Sequence, residues 1–285
     1  MNSLVSIGLL TFNRPEGLKK ALEAILNQTY QNLEIIVADN CSENPKVSEM
    51  VNQYAMQDNR IKYCRHTRNL GSGFNGRFAI SHATGDYYMF AADDDYFISD
   101  NLIEELMKHA HEHVLCFSDH ETSFGANDNM KNVYGHCETK LDYFYALLNH
   151  GGGTPVYGLY NRKLMAEIGL NFSFENDLEY YTEGSMLYKI FLTGLVKFVP
   201  NVYIYFDRNS KKPEPLKMCY SFIEAYDRNI NVIMNSDLDN VDKKNAMQII
   251  HAHNSAYFYG LFKNLNPYDQ QQVFYKILEK GYIRL

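Results

Sequence analysis

Apolar residues fall in this chain into short blocks separated by longer amphipathic stretches. Val5 to Leu10 is an apolar run of strand length, closed by the turn Thr11-Phe12-Asn13-Arg14-Pro15. The stretch after it places Leu18, Leu22, Ile25 and Leu26 on one helical face, with Asn13 and Glu16 at capping-pair spacing and Pro15 in the first turn. A second strand, Leu33 to Ala38, runs into Asp39-Asn40-Cys41-Ser42. Pro45 opens a helix carrying Val47, Val51, Tyr54 and Ala55, and Ile61 to Cys64 forms a third strand. The glycine-rich loop Asn69 to Gly76 leads into a short helix ending near Gly85. Tyr87 to Ala92 then has strand composition and stops abruptly in Asp93-Asp94-Asp95.

Beyond the acidic triplet, Ser99 or Asp100 caps a helix from Asn101 to Ala110, and Val114 to Ser118 reads as a strand. Residues 119–135 are polar and irregular, Leu141 to Leu148 is helical, and Gly151-Gly152-Gly153 marks a loop able to approach a ligand closely. Leu195 to Tyr205, interrupted by Pro200, reads as strand and turn. From about Pro215 the pattern changes to amphipathic helices over Leu216 to Met234, Val241 to Phe262 and Pro267 to Leu278.

Strands alternating with helices at this spacing predict an α/β fold with a doubly wound, mostly parallel sheet and a C-terminal helical extension. Such sheets bind ligands beyond the carboxyl ends of their strands. Thr11 to Arg14, Asp39 and Asp93 to Asp95 all fall at such ends, so three separate stretches converge on one crevice. At 285 residues, 46% hydrophobic and 21% charged, the chain can bury a sizeable core. A net charge of −7 without a Lys or Arg stripe sets aside nucleic acid as a main partner. Five cysteines, odd in number and without a C-x-x-C pair, point to reduced thiols in a cytoplasm-like compartment. The opening MNSLVSIGLLTFNR has no basic n-region and reads as the first strand. No stretch approaches the length of a membrane span, so any membrane contact would be peripheral.

Three adjacent carboxylates at a strand end repel one another and lose solvation, for which a divalent cation with oxygen ligands compensates. The plain alternative is a solvated acidic turn before the helix near Ser99. Gly71-Ser72-Gly73-Phe74-Asn75-Gly76 satisfies G-x-G-x-x-G, which raises a nicotinamide-dependent (NAD(P)) oxidoreductase as an alternative. Against it, His66 to Leu70 separate the glycines from the strand they should follow directly. His109 and His113 share a helical face in a last turn, which suits structural or solvated imidazoles, as for His251 and His253. Glu175, Asp177, Glu179 and Glu183 form an acidic cluster from which a general base could come.

VSIGLLTFNRPEGLKKALEAILNQTYQNLEIIVADNCS (Val5 to Ser42), the N-x-G of Asn69 to Gly71 and ATGDYYMFAADDD (Ala83 to Asp95) together resemble a family-two inverting glycosyltransferase of the GT-A fold. A weaker match runs from Tyr181 through Gly194 and Pro200 to Arg208 and Ser210. The resemblance implies a GT-A-like catalytic domain over 1–210, with a nucleotide-sugar half over 1–100 and an acceptor half over 101–210, and a helical extension over 211–285. It implies that Thr11, Asn13, Asp39, Asn69, Gly71 and Asp93 hold a nucleotide-sugar donor, a UDP-sugar above all, and that Asp94 and Asp95 hold Mn or Mg. The commoner pattern is L-D-x-D-D, and here Ala92 stands where its first aspartate would. Two registers stay open, Asp93 with Asp94 or Asp93 with Asp95, for the ribose and metal roles. The family's base precedes a glycine like Gly194 by eleven or twelve residues, which points to Glu183, with Asp177 and Glu179 as alternatives. The acceptor implied is a glycan or lipid-linked glycan, and a cytoplasmic setting, at the inner face of a membrane or not, goes with it. A non-catalytic nucleotide-sugar-binding protein of the same fold remains a further alternative. The tyrosines and phenylalanines of the tail (Tyr257, Phe258, Tyr259, Phe262, Phe274, Tyr275) could pack on the domain, on a second subunit or on a membrane surface.

Overall fold

The computed structural model describes residues 3–122, 133–150, 154–172, 184–207 and 214–280. Its first hundred residues alternate strand and helix: β1 (Val5–Thr11), α1 (Pro15–Leu26), β2 (Leu33–Asp39), α2 (Pro45–Gln57), β3 (Ile61–Arg65), α3 (Ser72–Ser81) and β4 (Tyr87–Ala92). β1 pairs in parallel with both β2 and β4, and β2 in parallel with β3. The register sets Thr11 opposite Asp39 and Leu10 opposite Ala92, so the carboxyl ends of three strands finish side by side.

The second half adds β5 (Tyr96–Phe97), α4 (Leu102–Met107), β6 (Leu115–Thr122), α5 (Lys140–His150), β7 (Leu159–Asn161), α6 (Arg162–Glu167), α7 (Gly184–Thr193) and β8 (Val196–Phe206). Among the described residues the sheet has eight strands in the order β3-β2-β1-β4-β7-β6-β8-β5. β7 runs antiparallel to β4 and β6, and β5 antiparallel to β8, while β6 and β8 are parallel. The fold is therefore α/β with a mixed sheet, parallel in the half that carries the crevice.

Every residue of β2 is buried because alternate side chains enter two different cores. Ile35 and Val37 join Leu18 and Leu22 of α1 and Val47 and Val51 of α2 on one face. Ile36 and Ala38 join Ala79 of α3, Tyr88 and Phe90 of β4, and Phe144 and Phe191 from α5 and α7 on the other.

The tail forms α8 (Pro215–Met234), α9 (Asn240–Phe262) and α10 (Pro267–Glu279). Ile233, Ala246 and Ile250 extend the second core beside α5 and α7, while Cys219, Ile223, Leu265 and Val273 make a small core of their own. Phe258 and Phe262 pack on that small core; Tyr259, Phe274 and Tyr275 are exposed. The side chains of Tyr257 and His253 lie outside the described residues.

Several local expectations change. The helix after the triplet ends at Met107, and neither Ser99 nor Asp100 caps it with a side chain. Its Ile103 amide donates to Gln28 Oε1 at 3.1 Å, and Ser99 Oγ accepts from the Tyr203 amide at 2.9 Å. β6 extends through Thr122, where irregular chain was expected from 119, because β8 continues to pair with it past a bulge. Pro200 sits in that bulge and does not end the strand. The register steps from Ser118–Val199 to Asp119–Tyr203, Asn201 takes φ +65°, and its amide donates to Asp119 Oδ2 at 3.2 Å. The glycine run 151–153 lies outside the described residues.

Candidate active site

The site is assembled at the ends of β1, β2 and β4. Asp93, the first residue past β4, is buried, and its carboxylate is tied to β1. Thr11 Oγ1 donates to Asp93 Oδ2 at 2.9 Å, the Phe12 amide donates to the same oxygen at 2.8 Å, and Arg14 Nη1 donates to Oδ1 at 3.0 Å. Arg14 Nη1 also reaches Asp94 Oδ2 at 2.5 Å. Burial pushes the Asp93 carboxyl above the usual range, against the pull of the Phe12 amide, the Arg14 charge and the Thr11 hydroxyl. For Arg14 burial works downward, and the two aspartates overcome it and raise the guanidinium further. Asp95 is tied across the cleft: its Oδ1 accepts from the Asp207 amide, just past β8, at 3.0 Å.

Glycine is required beneath the triplet. A Cβ at Gly17, on the first turns of α1, would lie 2.0 Å from the carbonyl oxygen of Asp93. The helix can approach the strand end this closely only without a side chain there.

Asn13 does not cap α1. Arg14 occupies that position without a side-chain cap, and Asn13 takes φ +60°, a conformation asparagine tolerates better than most residues. Its Oδ1 accepts from the amides of Glu43 at 2.7 Å and Asn44 at 3.1 Å, and its own amide donates to Ser42 Oγ at 2.8 Å. Asn13 thus clamps the turn after β1 to the turn after β2. Asp39 is fully buried and engaged within the chain: Oδ1 accepts from the Ser42 amide at 2.8 Å, Oδ2 from the Tyr63 hydroxyl at 2.7 Å, and Arg65 Nε stands 3.5 Å away. Burial, with the bonded Asp39 carboxylate, pushes the Tyr63 phenol far up.

The glycine-rich loop is fastened over the same end of β2. Asn40 Nδ2 donates to Asn69 Oδ1 at 2.8 Å, the Leu70 amide donates to Asn40 Oδ1 at 2.8 Å, and the Gly71 amide donates to Asn69 Oδ1 at 2.9 Å. Gly71 takes φ +84° and opens α3, while Gly73 and Gly76 lie inside that helix, with β3 already ended at Arg65. A dinucleotide fingerprint needs its glycines at the strand–helix turn, so this loop departs from it. Asn75 Nδ2 bonds the Ala38 carbonyl at 2.7 Å and its Oδ1 meets His66 Nε2 at 2.9 Å, which holds α3 against β2.

The ends of β1 and β4 border a cleft of about 520 Å³ lined by Asn13, Arg14, Glu16, Lys20, the triplet, Tyr96, Tyr205 and Asp207. Lys20, Tyr96, Tyr205 and Asp207 were not singled out by sequence. Tyr96 and Tyr205 stack at 4.7 Å between ring centroids, and Lys20 Nζ sits 3.7 Å over Tyr96. The cue available was the return of Tyr96 and Phe97 directly after the triplet, too short a strand to register as periodic. Five carboxylates against two cations in the lining leave the cleft negative. A second cleft, about 590 Å³, lies along α7 and α8 and shares no lining residue with the first. The first has the convergent polar groups that a binding site requires.

Oxygen donors of this kind suit Mg or Mn, which bind nucleotides through one or two carboxylates together with phosphate oxygens and water. Among the described residues no three His, Cys, Asp or Glu side chains close on a single point. Asp94, 23% exposed and lining the cleft, is a carboxylate of the triplet open to such an ion. Glu183, Asp177 and Glu179 lie outside the described residues, as do Arg208 and Ser210; in the chain Glu183 directly precedes α7.

The model of the family described as "Glycosyl transferase family 2" matches residues 6–169. A GalNAc(5)-diNAcBac-PP-undecaprenol beta-1,3-glucosyltransferase of Campylobacter jejuni is 32% identical over 135 residues, 47% of this chain and 38% of that protein. Other curated relatives are matched over 16% to 83% of their own length. In fold, the chain is similar to residues 1–349 of TarS from S. aureus in complex with UDP, with a TM-score of 0.75 and 17% identity, over 94% of this chain and 77% of that one. It is also similar to the mannosyltransferase PcManGT of Pyrobaculum calidifontis in complex with GDP-Man and Mn2+, with a TM-score of 0.59 and 15% identity, over 99% and 76%. No helix among the described residues is long and apolar enough to cross a membrane.

Proposed function

The chain belongs to glycosyl transferase family 2, and from that premise we propose that it transfers a hexose with inversion from a UDP-sugar to a hydroxyl of a glycan or lipid-linked glycan. The observation that carries this reading is the meeting of the β1 turn and Asp93–Asp95 on one negative cleft, cross-tied by hydrogen bonds between residues about eighty positions apart, with the Glu43 and Asn44 amides and Ser42 after β2 clamped to the same turn through Asn13. The fold neighbours carrying UDP, and GDP-Man with Mn2+, support a nucleoside-diphosphate donor and a divalent cation, and the Campylobacter relative's name supports a lipid-linked acceptor. A cytoplasmic setting, in contact with the inner face of a membrane where the acceptor is lipid-linked, follows from that acceptor.

In this account Asn13, Asn69, Gly71 and the end of β2 at Asp39 shape the base and ribose pocket, and Thr11 holds Asp93 in place. Asp94 and Asp95 are the residues that would hold Mn or Mg, which when bound neutralises charge developing on the departing diphosphate. Glu183 takes the proton from the acceptor hydroxyl. The oxygen attacks the anomeric carbon from the face opposite the diphosphate, forming the new glycosidic bond as the bond to phosphate breaks. Residues 1–210 are the catalytic unit and 211–285 the helical extension.

The test is Glu183→Gln with the donor and acceptor of the wild-type reaction. Turnover is expected to fall by about a hundredfold or more with UDP affinity retained. Full activity in that variant would remove Glu183 from the mechanism, and a product retaining the donor's anomeric configuration would remove the single displacement.

A further inference from the structure

Arg14 stands between the carboxylates in an unusual way. One nitrogen, Nη1, serves both Asp93 Oδ1 and Asp94 Oδ2, whereas a permanent arginine–carboxylate pair commonly engages two nitrogens in parallel. The other guanidinium nitrogens make no hydrogen bond among the described residues. Side-chain exposure rises outward from 7% at Asp93 through 23% at Asp94 to 37% at Arg14, so the guanidinium forms the solvent side of the cluster and can leave it without disturbing the strands. Asp93 cannot follow, because its second oxygen is held by Thr11 and Phe12.

Resting on the donor-site reading above, we propose that Arg14 is an internal counter-ion of Asp93 and Asp94 that the metal–nucleotide complex displaces, making metal alone a poor ligand of the free protein. Removing a cation from a buried carboxylate is costly unless another replaces it. A metal arriving alone must displace the guanidinium and leave it without an anion. A metal arriving with a diphosphate brings oxyanions that match the donors of the released guanidinium. Metal and nucleotide therefore bind with positive coupling, and the coupling is the same seen from either ligand. Arg14 acts here as a positioning residue for the donor, through charges it already touches.

The experiment is titration of Mn, read by the electron paramagnetic resonance of the free ion, into wild type, Arg14→Gln and Arg14→Lys, each without and with UDP. Arg14→Gln is expected to bind Mn alone about ten- to a hundredfold more tightly than wild type, the worth of one hydrogen bond between charged groups. The further tightening produced by UDP should shrink by a similar factor, and Arg14→Lys should keep the wild-type pattern. A folded Arg14→Gln protein that binds Mn alone no more tightly than wild type would overturn the inference and leave the donor site standing. If wild type binds no Mn even with UDP present, the donor-site reading falls and the inference falls with it.

Discussion

The hydroxyl of Tyr88 is buried in β4 without a hydrogen-bond partner among the described residues, and it lies against Gly8 of β1, where a Cβ would come within 1.9 Å of it. An unmet buried hydroxyl costs stability, and a methyl group forced against it costs more. Tyr88→Phe is therefore expected to leave the protein equally stable or more stable by about 1 kcal/mol in urea unfolding. Gly8→Ala should destabilise it by about 3 kcal/mol, and by clearly less in the Tyr88→Phe background. A loss on Tyr88→Phe alone would mean that the hydroxyl has a partner. At this scale the sequence was legible where a residue's task is local and misleading where it is not. Asp93 to Asp95 announce themselves by charge density. Asn13 looked like a helix cap because Glu16 follows at capping spacing, yet its side-chain Oδ1 accepts from amides some thirty residues away. Arg14 gave no signal of its own, since its carboxylate partners lie about eighty positions on and only the sheet register brings them near.

Among elements, the parallel quartet β3-β2-β1-β4 was readable because each of its strands is a run of at least five residues bounded by turn chemistry. β5 and β7, two and three residues long, offer no period to detect, and β6 and β8 differ from expectation because pairing carries both past a bulge. One carboxylate pins the amino ends of the quartet. Glu34 of β2 accepts from Ser6 of β1, from Lys62 of β3 at 2.6 Å, and from the Thr84 and Gly85 amides just before β4. Burial works to raise this carboxyl, but the Lys62 ammonium, the Ser6 hydroxyl and the Thr84 amide and hydroxyl outweigh it and hold it from 4.5 down to about 2. A folded-state value below the unfolded one stabilises the fold above pH 4.5, and that stability drains away as pH falls toward 2. Glu34→Gln is expected to cost on the order of 2 kcal/mol at neutral pH and to flatten the fall of Tm between pH 4.5 and 2. A variant whose Tm falls across that range as steeply as wild type would show that Glu34 is not the group responsible.

For the whole molecule, residues 1–100 were legible because a parallel α/β sheet gathers its turn and charge signals at strand ends. Residues 101–210 were less so: the short strand β7 offers no period to detect, and β6 and β8 run past a bulge. The helical tail shares a core with α5 and α7 through Ile233, Ala246 and Ile250, which ties it to the sheet that carries the cleft. The central claim is that this cleft takes a nucleoside diphosphate with a divalent cation. Calorimetric titration of UDP into the wild-type protein and into Asp94→Ala, each with and without Mn, tests it most directly. UDP is expected to bind wild type much more strongly with Mn, and Asp94→Ala to lose that metal-dependent gain. Wild-type binding indifferent to Mn, or unchanged in Asp94→Ala, would contradict it.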